Sequence, residues 1–383
     1  MTESTHLTKL IDSRIMNFIT DREPILVAIA PELATFADFS RDLLSGGKRF
    51  RAQFGYWGWR SVADLDLHAD SAAEAGSPAA AENEFAALVE LCTGLEFFHA
   101  AALVHDDIID KSDTRRGLPA AHRRFESLHH DSGYTGDAED YGRASALLMG
   151  DLLLAFSEEL VGQALQLLDG GAAGSARRAS VATRLEFNRM RTEVTLGQYL
   201  DILDENAWPV VPENELLARA ERVIVYKSAK YSVEAPLVLG ARLHGATDAA
   251  VDSLRAFGLP LGIAFQLRDD LLGVFGDAQK TGKPSGDDLR EGKRTVLVAL
   301  TRQTLSPGAK RLFDELLGDP GLGPEQISML QATISDSGAA DRVEQLIAQH
   351  SDDALHALSV APLAEPAKLQ LAALATRITQ RDA

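Results

Sequence analysis

Three observations predict an all-α fold. Apolar residues recur at helical spacing through most of the 383 residues, and convincing strand alternation is absent. Ala and Leu are abundant while aromatic residues make up only 6%, which favours helix over sheet. Helical patterns cover residues 85–104, 144–168, 185–203, 216–243, 251–274 and 294–304. With 45% apolar residues, one all-α domain over residues 1–383 has material for a large core. Three stretches, 64–83, 129–142 and 169–176, are rich in turn formers and read as loop insertions. No repeat of fixed period is found.

The formal charge of −18 argues against a general nucleic-acid binder, which needs a basic surface. It leaves room for a local basic pocket that takes a small anion. Cys92 is the only cysteine, so no intrachain disulfide can form, and a reducing cytoplasm fits. The first residues, Met1 to His6, lack the basic and apolar regions of a signal peptide. No membrane span is expected; the most suspicious apolar stretch, 257–267, is short and interrupted by Pro260.

Two acidic segments stand out because they sit in strongly apolar helical patterns. The first is His105-Asp106-Asp107-Ile108-Ile109-Asp110, the second Phe265-Gln266-Leu267-Arg268-Asp269-Asp270-Leu271-Leu272-Gly273. On a helix Asp106 and Asp110 stand one turn apart on the same face. Their carboxylates repel, and the helix macrodipole makes that end more negative still. A cation between them removes the conflict. Mg²⁺ is the natural candidate, because it binds through one or two carboxylates plus substrate phosphates. Two such ledges brought together would hold a diphosphate between metal ions.

Basic elements accompany the acids. Arg115, Arg116, His122, Arg123 and Arg124 follow the first motif, and Gly46-Gly47-Lys48-Arg49-Phe50-Arg51 lies upstream. Glycines let a backbone approach an anion, while Lys and Arg supply charge and forked donors. Tyr226-Lys227-Ser228-Ala229-Lys230-Tyr231 interrupts an apolar helix, and residues 281–295 form a Gly/Pro-punctuated charged loop carrying Lys283. Taken singly, each also reads as ion pairing, a surface turn or lysine tips extended into solvent.

Together, in order over about residues 40 to 300, these motifs resemble the trans-type isoprenyl diphosphate synthases, the polyprenyl synthetases. Gly150-Asp151, Gly197-Gln198 with Asp201, Lys227-Ser228 and Gly282-Lys283 complete the series. The resemblance implies an isoprenoid-synthase-type all-α helical bundle around a central cavity, usually a homodimer. It implies that Asp106, Asp110 and Asp269 ligate three Mg²⁺ ions on an allylic diphosphate, supported by Asp107 and Asp270. Arg115, Lys227, Ser228, Gln266 and Lys283 match positions that grip that diphosphate. Lys48, Arg51, His99 and Arg116 match those that bind isopentenyl diphosphate. The implied partners are therefore isopentenyl diphosphate and a dimethylallyl, geranyl or farnesyl diphosphate. Two departures stand out: Gly273 replaces the usual last aspartate of the second motif, and Ser228 the usual threonine.

Product length is read from the helix beneath Asp106. Ala101 and Ala102, one turn below, are small, so nothing aromatic stops the tail there. Phe98 lies eight residues before Asp106, roughly 12 Å lower at 1.5 Å rise per residue. It is a floor suited to a geranylgeranyl-sized product, or else ordinary core facing another helix. The competing readings are a synthase of longer chains, a class I terpene cyclase, and a non-catalytic regulatory subunit. The Gly-Gly-Lys-Arg-Phe-Arg element and Arg116 speak against the cyclase, and the intact acidic pairs against the subunit.

Overall fold

The computed structural model describes residues 3–66, 78–169, 174–277, 285–319 and 321–380. They are almost wholly helical. Their packing divides into two compact units, Met1–Leu185 with Pro236–Thr247 and Glu186–Ala235 with Asp248–Ala383.

The first unit contains α1 (Glu3–Ile29), α2 (Ala34–Leu44), α3 (Phe50–Asp66), α4 (Pro78–Ile109), α5 (Ala121–Asp131), α6 (Ala138–Asp169) and the start of α7 (Gly174–Ala207). Helix α9 (Ala235–His244) packs here too. Helix α4 is the central element, packed along α6 and touched by α1 and α3. Glycine permits the closest approach: a Cβ on Gly94 would lie 2.9 Å from Val161 Cγ2, and Ser157 Oγ donates to the Gly94 carbonyl at 2.7 Å. Phe18, Phe97 and Phe156 meet edge to face around this contact, Phe18 lying 5.3 Å from each of the others. Such pairs contribute about 0.5–1.5 kcal/mol beyond their area.

The second unit contains α8 (Leu216–Val223), a π-helical segment Ile224–Glu234, α10 (Asp248–Phe275) and α11 (Asp287–Glu291). It continues with α12 (Val296–Thr304), α13 (Pro307–Leu316), α14 (Pro324–Asp336), α15 (Ala339–Val360) and α16 (Glu365–Thr379). Helix α10 packs on the π segment and on α15. Its core includes Leu267, Leu271, Val274, Leu289, Leu297 and Val343.

Several expectations change. The stretch 129–142 is mostly helix: α5 runs to Asp131 and α6 starts at Ala138, leaving a short turn. Residues 78–83 belong to α4 and 64–66 to α3, while 169 ends α6 and 174–176 open α7; residues 67–77 and 170–173 lie outside the described set. A two-stranded hairpin, β1 (Thr114–Arg115) and β2 (Leu118–Pro119), interrupts the helices. Finally, Ala79–Ile109 is long and apolar enough to cross a membrane, an 18-residue window within it having a mean hydropathy of 1.5. Seventy-two per cent of that window is buried inside the protein, so its apolar face serves the core.

Candidate active site

In the first unit the C-terminal end of α4 carries the acidic ledge. The Asp110 N–H donates to the Asp106 carbonyl at 2.8 Å, which keeps the two residues one α-turn apart. Lys111 then takes a left-handed φ of 55°, and the Ser112 N–H returns to the Asp107 carbonyl at 3.0 Å. This closes the helix as a Schellman turn. Asp107 is buried and holds Arg115: Nε donates to its Oδ1 at 2.9 Å, and Nη2 bonds the same oxygen. Arg115 Nη2 also lies 3.5 Å from Asp106 Oδ2.

The hairpin supplies the arginines. Arg115 faces Leu118 in its register, and the two turn residues, Arg116 and Gly117, have φ of 54° and 76°. This is the left-handed pair that a two-residue hairpin turn needs. The turn brings Arg116 to the glycine loop, where a Cβ on Gly47 would sit 3.4 Å from both of its terminal nitrogens.

His99, on the same helix as the ledge, feels Arg51, Arg116, Arg115 and Arg49. Burial first, and then these four charges, hold its imidazole well below the ordinary histidine range, so it is neutral near pH 7. Arg116 is likewise lowered, by burial and then by Arg49. So Arg51, His99, Arg115 and Arg116 converge as a concentration of positive charge and donors. Lys48 is exposed on the adjoining loop, its Nζ 6.0 Å from the Phe50 ring.

Sequence reasoning placed Arg49 in the basic element at 46–51 but gave it no role of its own. It is buried, donates through Nε to Asp12 at 2.9 Å and through Nη1 to Glu96 at 3.2 Å, and also bonds the Leu44 carbonyl. Gln53 Nε2 donates to the Lys48 carbonyl at 2.6 Å. Together these fix the loop that presents Lys48 and Arg51. A buried acid at 96 within the apolar pattern was the available signal. The neighbouring basic residues resolve into plain ion pairs: Arg123 with Asp113 and Glu126, and Arg124 with Asp42. Gly150 leaves room for the His105 ring, which would overlap any side chain there.

In the second unit Lys227 lies in the π segment and pairs with Asp201 of α7. Bare backbone packing holds this segment from two sides. A Cβ on Gly197 would strike the Tyr226–Lys227 peptide, and one on Gly262 would come within 2.8 Å of Ala229 C. π turns are rare and concentrate at functional sites. Ser228 is half-buried on the same segment. Lys230 pairs with Glu193 at 2.9 Å and stacks on Tyr226, so it does not reach into solvent.

On α10, Gln266 Nε2 donates to Asp270 Oδ1 at 2.8 Å. The amide proposed to grip a substrate thus also holds an acid. Asp270 is buried, and burial pushes its carboxyl up to about 8, with Asp288 and Asp269 adding to the rise and Gln266 opposing it. Asp269 is half-buried beside it. Lys283 lies outside the described residues.

The donor set fits Mg²⁺. Among the described residues no three acids or histidines form a ready-made cage, as suits a cation that completes its shell with phosphates and water. Asp106 and Asp110 stand one turn apart on α4, and Asp269 adjoins Asp270 on α10, so each pair offers carboxylate oxygens from a single helix.

The polyprenyl synthetase family model matches residues 34–334. A geranylgeranyl diphosphate synthase of Saccharolobus solfataricus is 30% identical over 89% of this chain and 82% of its own. A geranylfarnesyl diphosphate synthase of Aeropyrum pernix is 27% identical, covering 94% and 96%. The crystal structure of geranylgeranyl pyrophosphate synthase from Corynebacterium glutamicum, complexed with isoprenyl diphosphate and magnesium, superposes with a TM-score of 0.86. It is 36% identical and covers 98% of this chain and 99% of that one. The chain belongs to the polyprenyl synthetase family, has the all-α fold of the isoprenyl synthases, and is a trans-prenyltransferase.

Proposed function

We propose that this enzyme condenses isopentenyl diphosphate with an allylic diphosphate to give all-trans geranylgeranyl diphosphate, and that Mg²⁺ is its metal. The observation that carries the twenty-carbon product is the continuous α4 helix: Asp106 at its polar end, Ala102 one turn lower, and buried Phe98 roughly 12 Å below Asp106. On this reading Asp106, Asp110 and Asp269 hold three Mg²⁺ ions, which when bound stabilise charge on the departing diphosphate.

Arg115, fixed by Asp107, and Lys227, fixed by Asp201, bind that diphosphate with Ser228, Gln266 and Lys283. These cations offset the charge that grows as the allylic C–O bond breaks and its electron pair leaves with the diphosphate. Lys48, Arg51, His99 and Arg116 hold the second diphosphate. Neutral His99 donates one hydrogen bond without adding a charge. The terminal double bond of isopentenyl diphosphate attacks the allylic carbon, forming the new C–C bond. A proton is then lost from the isopentenyl part, and the departed diphosphate can accept it. The apolar face of α4 excludes water from the cation. We also infer a homodimer, from the resemblance, and a cytoplasmic enzyme, since its one cysteine is buried and free.

The A. pernix relative, whose name specifies a longer product, favours a second reading of twenty-five carbons. Incubation with Mg²⁺, isopentenyl diphosphate and each allylic diphosphate in turn, followed by product sizing, decides between them. Twenty carbons support the Phe98 floor; longer products keep the reaction and move the floor. No elongation by folded protein with any starter would overturn the reading, and chelation of the metal should abolish turnover.

A further inference from the structure

The second acidic motif, residues 265–273, contains one basic residue, Arg268, immediately before Asp269. The resemblance gives it no role. Its guanidinium turns away from the motif and joins two other helices. Nε donates to the Thr379 carbonyl at 3.0 Å, Nη1 to Glu344 Oε1 at 2.5 Å and Nη2 to Glu344 Oε2 at 2.7 Å. The Arg268 side chain is 16% exposed.

Both partners are fixed in place. Glu344 stands on α15 beside Val343, which lies in the core. Thr379 is the last residue of α16, is buried, and donates from Oγ1 to the Ala375 carbonyl at 2.9 Å. Leu371, Leu374 and Ile378 are buried on the same helix, which packs on both α15 and α10. The last carbonyls of a helix have no partner within it and carry the negative end of its dipole, so a guanidinium suits them. Arg268 is thus the junction of α10, α15 and α16.

The fork on Glu344 is planar and bidentate, which fixes direction as well as distance. Held so, Arg268 sets how far α10 is turned about its own axis, and with it where Asp269, about 100° further round, presents its carboxylate. Side chains end about 5–6 Å from a helix axis, so a turn of about 10° moves that carboxylate by about 1 Å. That is about half of a Mg–O bond of roughly 2.0–2.1 Å, for a cation that demands near-ideal octahedral geometry. Leu267 and Leu271 bury α10 on either side of the acids, but apolar contact has no direction with which to set this angle.

We propose that Arg268 is a positioning residue for Asp269, and that α16, the last of the described helices, belongs to the metal-binding apparatus through it. The proposal rests on the Mg²⁺-diphosphate reading above. The alternative is an ion pair that only adds stability.

The test is steady-state turnover of the full chain as Mg²⁺ is titrated, at a temperature well below unfolding, with KM for isopentenyl diphosphate measured alongside. Arg268→Ala, Arg268→Lys and Glu344→Gln are compared with wild type. A displacement of about 1 Å can cost about 100-fold in rate, and loss of a metal ligand's support typically weakens metal affinity about 10–100-fold. Arg268→Ala is thus expected to lower kcat and raise the midpoint Mg²⁺ concentration at least about tenfold, with KM for isopentenyl diphosphate within about twofold of wild type. Glu344→Gln keeps the Thr379 bond, and Arg268→Lys keeps the charge without the planar fork. Both midpoints should fall between those of Arg268→Ala and wild type. A purely stabilising pair would lower the melting temperature and leave the midpoint where it was. An unchanged midpoint in Arg268→Ala therefore overturns the proposal, whatever its melting temperature. Should that variant not fold, unchanged midpoints in Arg268→Lys and Glu344→Gln do the same, and the enzyme reading stands. A wild-type protein without Mg²⁺-dependent turnover overturns both.

Discussion

Replacing Phe98 with alanine separates a product floor from ordinary core. Phe98 is 5% exposed on a helix that stays regular from Pro78 to Ile109. Removing its ring lowers any floor by one turn, about 5.4 Å, which is room for one more five-carbon unit. The next level is Gly94 and Leu95, where a Cβ on Gly94 would already be 2.9 Å from Val161, so growth should stop there. Forcing a longer tail against Phe98 is an overpacking clash of about 1–3 kcal/mol, and relieving it changes the product ratio by roughly 5–150-fold. The assay is product sizing after dephosphorylation, with farnesyl and isopentenyl diphosphates as substrates. The main product should move from twenty to twenty-five carbons. A Phe98 packed only against protein would instead cost about 3–5 kcal/mol on truncation, read as a lower urea midpoint. An unchanged product with that stability loss refutes the floor.

The remaining predictions concern the supports of the site. Metal-free protein keeps the Asp270 proton up to about pH 8, whereas the unfolded chain releases it near the ordinary carboxylate value. Stability should therefore fall as pH rises from about 4 to about 8, by at most about 6 kcal/mol. Asp270→Asn should flatten that slope in urea unfolding at several pH values, and a slope left intact counts against it. Glu96→Ala strips Arg49 of its buried partner and should cost about 3–5 kcal/mol while raising the KM for isopentenyl diphosphate; a change below about 1 kcal/mol would show that Asp12 suffices. Gly197→Ala would push on the Lys227 backbone. About 1–3 kcal/mol of stability and a lowered kcat should follow, and unchanged kinetics would show that the π segment yields without moving Lys227 from Asp201.

The long helices were legible because their apolar periodicity is sustained, and the carboxylates of α4 because acids in such a pattern conflict with its hydropathy. Other features left a weaker trace. Residues 129–142 read as a loop since Gly, Asp, Ser and Tyr blur the period, yet only the turn around Gly133 and Gly136, both with positive φ, leaves the helix. The hairpin is two residues a side, too short for alternation to register; its sign was the Arg-Arg-Gly turn. The π segment kept the outward pattern of a helix while changing its hydrogen-bond step, and only the glycines opposite it mark the place. The Arg49–Glu96 pair is a meeting of residues distant in sequence, which a linear pattern does not encode.

Helix α4 also bears on how the chain is made. Its largest packing partner, α6, ends at Asp169, sixty residues after Ile109. At roughly 5–20 residues per second, a ribosome needs roughly 3–12 s to complete that partner. During this interval a segment with the hydropathy of a membrane span is presented with only the earlier helices to cover it. Codon changes that slow translation between residues 110 and 169 should therefore divert nascent chains toward aggregation or the membrane, lowering the yield of folded enzyme while its sequence stays the same.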